Sequence, residues 1–187
     1  MAGIKQTIAP ATSPITLTQA KDHMYVTISD DDTLIQAMID TATKQTENYT
    51  GLQLVDATYV QALDVWSDTI EMLKNPVSSI TSIKYYDEND ALQTLPATDF
   101  ILDDFSVPNR LVKDVDATLP TIKDKPNAIE ITFVAGQTTI DAPLLSYIKI
   151  QVATFYENRE EFNAMKMNEH PDRFTIRLLD AYKVSLV

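Results

Sequence analysis

The residues best suited to chemistry fall in three acidic clusters. Asp30, Asp31 and Asp32 stand together ahead of an amphipathic run. Three adjacent carboxylates suit a cation site or an acid/base cluster. At a helix start they also accept from unpaired backbone N–H groups and favour the positive end of the dipole, and capping is the role this position predicts. Asp103 and Asp104, with Asp99 nearby, offer oxygen ligands for calcium. The spaced ligands and turn glycine of a calcium loop are missing, which predicts a solvated turn instead. Glu157, Glu160 and Glu161 crowd the end of an apolar run, with Arg159 among them. Carboxylates there oppose a helix dipole. Arg159 is expected to neutralise them, either in a local surface ion pair or as a bridge to another element or subunit.

Other chemistries lack their parts. There is no cysteine, so disulfides, thiolate metal sites and cysteine nucleophiles are excluded together. His23 and His170 have no partner at zinc-ligand spacing. Gly3, Gly51 and Gly136 are the only glycines, too few to write a phosphate-cradling loop or a dinucleotide fingerprint. A hydrolase built on paired carboxylates needs two acids about 5–9.5 Å apart across a cleft, and no nucleophile–base set accompanies these acids. No catalytic residue, cofactor or metal is expected. The formal net charge of −12 disfavours tight binding to nucleic-acid phosphates. No window reads as a signal peptide or a membrane span.

The elements that must position these residues are organised around Ala128–Glu161. Ile129, Ile131 and Phe133 alternate with Glu130 and Thr132, which predicts a strand. Pro143 then opens a helix. Its apolar residues, from Leu144 to Tyr156, cover most of the circumference, so it is expected to be buried on several sides. Upstream, Thr16 and Gln19 fit a capping box for a short helix burying Leu17, Ala20 and Met24. A second helix carries Leu34, Ile35, Met38, Ile39, Ala42 and Tyr49, places Glu47 on its polar side and ends at Gly51. It should pack against the helix after Pro143.

Between Asp56 and Val134 the period drops to two. Strands are predicted at residues 58–65, 69–73, 80–86, 100–102, 110–112 and 128–134, punctuated by Asn75-Pro76, Pro108-Asn109 and Pro126-Asn127. Trp66, Tyr85, Tyr86 and Phe105 are contact anchors or core residues. A last helix is expected from Arg173 to Val184. The predicted fold class is α+β: a helical core of three main helices with an inserted small antiparallel β-sheet. Residues 1–13 are expected to form a flexible arm. Residues 14–187 form a single domain, its helical core from 14–55 and 135–187 and its β-rich insertion from 56–134.

The order of these pieces resembles the head–tail connector (adaptor) proteins of long-tailed bacteriophages. The matching residues are Pro14-Ile15-Thr16-Leu17 with Ala20-Lys21, and Asp30-Asp31-Asp32 opening a helix that ends Tyr49-Thr50-Gly51. Pro76 to Ile83 with Tyr85, Phe133-Val134-Ala135-Gly136, Tyr156 to Glu160, and Leu178-Leu179 before Ala181 to Val184 follow in the same order. Gln19 departs from the acidic residue common in that family, as does the Met-rich stretch Met165–Met167. The resemblance implies a non-enzymatic, dodecameric ring at the head–tail junction of a virion, assembled in the host cytoplasm. It would bind the portal protein above and a stopper protein below, and let double-stranded DNA pass without sequence-specific binding. Arg159, Glu160, Met165, Met167 and Phe174 are the candidate partner-interface residues. The tail from Phe162 to Val187 is expected to dock on the portal, or else to fold onto its own core. A neighbouring joining or tail-completion protein, an interaction domain encoded by a prophage remnant and a carboxylate-based hydrolase are the alternatives.

Overall fold

The computed structural model describes residues 3–158 and 172–184. The chain is α+β, and its contacts divide it into two compact units. One holds the segments Thr12–Leu54 and Thr138–Lys183; the other holds the chain up to Ala11 and Val55–Gln137.

The first unit is helical. Helix α1 (Leu17–Met24) opens on the predicted capping box: the Gln19 N–H donates to Thr16 Oγ1 and the Thr16 N–H donates back to Gln19 Oε1. Helix α2 (Asp32–Thr50) ends at Gly51, whose positive φ of 77° suits glycine. Threonine is a mediocre helix former, yet α2 carries several. Thr41, Thr43, Thr46 and Thr50 each donate a hydroxyl to the carbonyl four residues back, so Thr46 and Thr50 lie buried without unmet donors. Helix α3 (Ala142–Glu157) buries Leu144, Tyr147, Ile148, Gln151 and Val152. Three helices pack on it: α2, α1 and α4 (Asp172–Asp180). The all-round apolar pattern is explained by these three neighbours. Ile35, Ile39 and Ala42 of α2, and Leu179 of α4, are fully enclosed.

The second unit is a pair of antiparallel sheets. The larger runs β1-β2-β8-β4-β5, from Gly3–Ile8, Ala57–Leu63, Ile129–Ala135, Val77–Tyr86 and Leu92–Leu95. The smaller runs β3-β7-β6, from Thr69–Glu71, Arg110–Lys113 and Phe100–Asp103. Tyr59 on β2, Ile129, Ile131, Phe133 and Ala135 on β8, and Ile83 on β4 share a core with Ile70, Leu111 and Phe100 of the small sheet. Gln61, also buried, reaches the chain just past β3. Its Nε2 donates to the Glu71 carbonyl at 2.8 Å and its Oε1 accepts from the Leu73 N–H at 3.0 Å.

Two expectations change. Residues 3–8 form strand β1 where a loose arm is predicted. Both faces of β1 are exposed, so no hydrophobic period marks it, and backbone pairing to β2 holds it. The β region makes two sheets rather than one and includes β5, which the sequence reading passes over; β5 buries only Leu95. The four helices the sequence predicts are all present, the last ending at Asp180.

Gly136 is legible as a break in the strand, but its φ is not among the positive ones. A Cβ there would lie 2.5 Å from the Asp56 nitrogen and 2.6 Å from its Cα. Backbone cannot swing aside as a side-chain tip can. Gly136→Ala is therefore expected to lower stability by about 1–3 kcal/mol, the usual range for overpacking, read as a reduced urea midpoint with unchanged slope.

Candidate functional site

Two of the acidic clusters act as fasteners. Asp31 is the N-cap of α2, with φ −96° and ψ 4°, and its side chain makes no cap hydrogen bond. It accepts instead from the Tyr156 hydroxyl of α3 at 2.7 Å. Asp32 takes the Lys21 ammonium of α1 at 2.6 Å. The expected three-carboxylate cap is corrected accordingly: two of the acids tie helices together, and Asp30 is exposed. The same device recurs twice. Tyr49 donates to Asp180 at 2.6 Å, joining α2 to α4, and this bond holds the Tyr49 phenol above its ordinary pKa. Tyr182 hydrogen-bonds Asp141, the N-cap of α3; burial first, then this bond, raise its pKa. A hydroxyl-to-carboxylate bond is charge-assisted and stronger than a neutral one.

Glu47 departs from its predicted polar face. It is 3% exposed. Its Oε1 accepts from Gln53 Nε2 at 2.7 Å and from the Leu54 N–H at 3.2 Å, while Oε2 pairs with Lys44 at 3.3 Å. After Gly51 the chain folds back past this carboxylate. The signal for this was the pairing of a helix-stop glycine with polar Gln53 two residues on.

Asp103 fixes the turn foreseen for it. Its carboxylate accepts from the N–H groups of Phe105 and Ser106, from the Ser106 hydroxyl at 2.6 Å and from Arg110 Nε at 2.8 Å. The Ser106 hydroxyl first, then Arg110, hold its pKa below the ordinary carboxylate value. The β6–β7 connection is thus tied down at one end. At the other, buried Asn109 donates through Nδ2 to the Ser106 and Asp104 carbonyls. Its Oδ1 accepts from the Val77 N–H at 2.7 Å, and its own N–H donates to Asn75 Oδ1 at 2.6 Å. Asn75 in turn donates to the Met72 carbonyl. Both asparagines adjoin a proline in a cis peptide bond. Sequence reading takes the two Asn–Pro pairs as punctuation; their mutual contact, across 34 positions, left no local trace.

The aromatic candidates divide. Trp66 lies 6.0 Å from both Tyr85 and Phe100, ring to ring, and donates Nε1–H to the Pro120 carbonyl. Tyr86 carries the Lys125 ammonium 3.1 Å above its ring. That ammonium also pairs with Asp90, which Lys123 flanks. Phe105 stands 95% exposed at the tip of the braced loop, with Val107 at 73%.

Of the candidate interface residues, Arg159, Glu160, Met165 and Met167 lie outside the described residues. Phe174 falls within α4. Glu157, exposed, closes α3. Among the described residues no three His, Cys, Asp or Glu side chains gather as a metal site, and no helix is long and apolar enough to cross a membrane.

Residues 14–94 match the family of phage gp6-like head-tail connector proteins. The resemblance read from the sequence is borne out over that stretch. No curated relative matches the chain. Solved structures match its fold almost end to end. One, described as the neck of an empty GTA particle computed with C6 symmetry, is 19% identical, with a TM-score of 0.81 over 99% of this chain and 97% of that one. The neck of a native GTA particle computed with C12 symmetry gives 20% identity and a TM-score of 0.77 over 99% and 97%. The virion of a native gene transfer agent particle gives 18% and 0.79 over 98% and 96%.

Two outcomes follow for the braced loop and the buried carboxylate. Because folding lowers the Asp103 pKa, the stability it contributes is fully present above the unfolded value of about 3.9 and is lost as pH falls through the lower folded value. The melting-temperature gap between the parent and Asp103→Asn should hold steady from pH 7 to about pH 5 and close below about pH 4. Glu47→Ala leaves the Leu54 N–H and the Gln53 amide without their acceptor. It should cost about 1–3 kcal/mol, the usual penalty for unmet buried donors, measured by urea unfolding.

Proposed function

We propose that this chain is a structural connector of the head–tail junction in a phage-like particle, working by assembly rather than catalysis. The observation that carries the reading is the coincidence of two independent likenesses. The connector family matches residues 14–94, and the fold of nearly the whole chain follows that of particle-neck structures. The use made of the carboxylates supports it. Asp87, Asp90 and Asp103 are each held low by hydrogen bonds, first from Gln93, Lys125 and Ser106 respectively.

In this reading copies close into a ring of twelve, with the portal protein on one side and a stopper protein on the other. Double-stranded DNA passes through the hole. Each copy carries a net charge of −12, so an acidic lumen offers the DNA backbone no counterion release and lets it slide. Met165, Met167 and Phe174 are proposed to face the portal, with the methionines adapting to the partner surface, and Arg159 and Glu160 to meet a neighbouring subunit.

Removing the tail is not a clean test. Leu179 of α4 is fully buried and Asp180 anchors Tyr49, so a truncation after Glu161 strips the helical unit of a packed helix. Point changes are cleaner. Mixed with its portal and imaged by electron microscopy, the parent should add a ring to the portal, and Met165→Asp with Met167→Asp should not. Binding to a stopper protein but never to a portal would identify a neighbouring tail-completion protein instead. Because like-charged copies repel and salt screens that repulsion beyond about 8 Å at physiological ionic strength, ring formation should be stronger at high salt than at low salt. Sedimentation across a salt series checks this.

A further inference from the structure

The five-stranded sheet ends in two free edges. Among the described residues, no backbone hydrogen bond reaches the outer side of β1 or of β5. All six residues of β1 are exposed, as are Leu92, Gln93 and Thr94 of β5. Natural edges are blunted by charge, proline or bulges, because a row of unpaired N–H and C=O groups is a template for another strand. Here the protection is light. β1 carries one lysine, no proline and a register shift only after Gln6; β5, with the sequence LQTL, has neither charge nor proline.

The faces of β1 add a second observation. Ile4 sits opposite Gln61 and Gln6 opposite Tyr59, two residues on the core side of the sheet and almost wholly buried. Ile4 is nevertheless 37% exposed. The core face continues onto β1, but the packing that covers it does not; the core cluster includes β2 and no residue of β1.

We infer that the two edges join neighbouring copies, β1 of one chain pairing in parallel with β5 of the next. This rests on the ring reading above. A ring is built from head-to-tail contacts between two different patches, and the sheet supplies two different edges at opposite ends. Direction follows from topology. Each adjacent pair in β1-β2-β8-β4-β5 is antiparallel, so β1 and β5 point the same way. The rotation relating ring neighbours, roughly a twelfth or a sixth of a turn for the closed symmetries of the matched necks, does not by itself reverse a strand, and it must take up the sheet's own twist of about 20–25° per strand step for the two edges to align. The joint is therefore parallel. It sets Gln93 and Leu95, which share the core face of β4 through Tyr85 and Ile83, beside Ile4 and Gln6. Backbone pairing of this kind supplies affinity without complementary charge, which suits copies that repel one another.

The absence of native cysteine makes the joint directly testable in the full chain. Lys5 projects from the outer face of β1, Leu92 and Thr94 from that of β5. Under mild oxidation, the double variant Lys5→Cys/Thr94→Cys, or its register alternative Lys5→Cys/Leu92→Cys, should give a reducible ladder at multiples of 21.0 kDa. An equal mixture of the corresponding single variants should stop at dimers, and each single variant alone should stay monomeric. Dimers from Lys5→Cys alone would show β1 pairing with β1 and overturn the proposal. Rings seen by electron microscopy with neither pair cross-linking would overturn the joint and leave the ring reading intact. Neither rings nor cross-links, with the portal present, would overturn both.

Discussion

The β unit depends on one strand. β8 is hydrogen-bonded along its whole length to β2 on one side and β4 on the other. Every second side chain, from Ile129 through Ala135, is buried without remainder. A strand so placed cannot slip by one residue without turning its entire apolar set to the wrong face. Its register therefore fixes those of β2 and β4, and through them β1 and β5. Where β8 ends, Gly136 donates to the Pro76 carbonyl at 3.0 Å and presses against Asp56, so the strand leaves the sheet along a path that leaves no space for a side chain.

The helical unit answers to a comparable rule. α3 is apolar around most of its girth because three helices contact it. Packing alone leaves helices free to slide, and here directional bonds near their ends limit that freedom. Asp31 with Tyr156, Asp180 with Tyr49 and Asp141 with Tyr182 each connect an acid to a phenol on another segment. Acids that a sequence presents as possible chemistry are thereby committed to architecture.

Local signals were legible and reciprocal ones were not. The capping box at Thr16 and Gln19, the glycine stop at Gly51, the alternation of β8 and the all-round apolarity of α3 are patterns within a few residues, and each has its predicted form. β1 escaped because a strand exposed on both faces has no hydrophobic period. Glu47 escaped because the donors that satisfy it lie beyond the helix it belongs to. Asn75 and Asn109 read as turn residues, since nothing in either neighbourhood reveals the other. Asp31 was placed correctly at a helix start, but the tyrosine that claims its carboxylate lies 125 residues away. The family resemblance was legible over residues 14–94, whereas the free sheet edges became visible only once strand order was known.

The loop between β6 and β7 is braced from within, by Asp103 at one end and Asn109 at the other, while its apex side chains touch little. Scaffold and apex are thus separable. The apex can drift in sequence, or accept a dye or an epitope, while the hairpin beneath keeps its shape. A reporter seated there would track the tumbling of the whole β unit, not the wobble of its own tether.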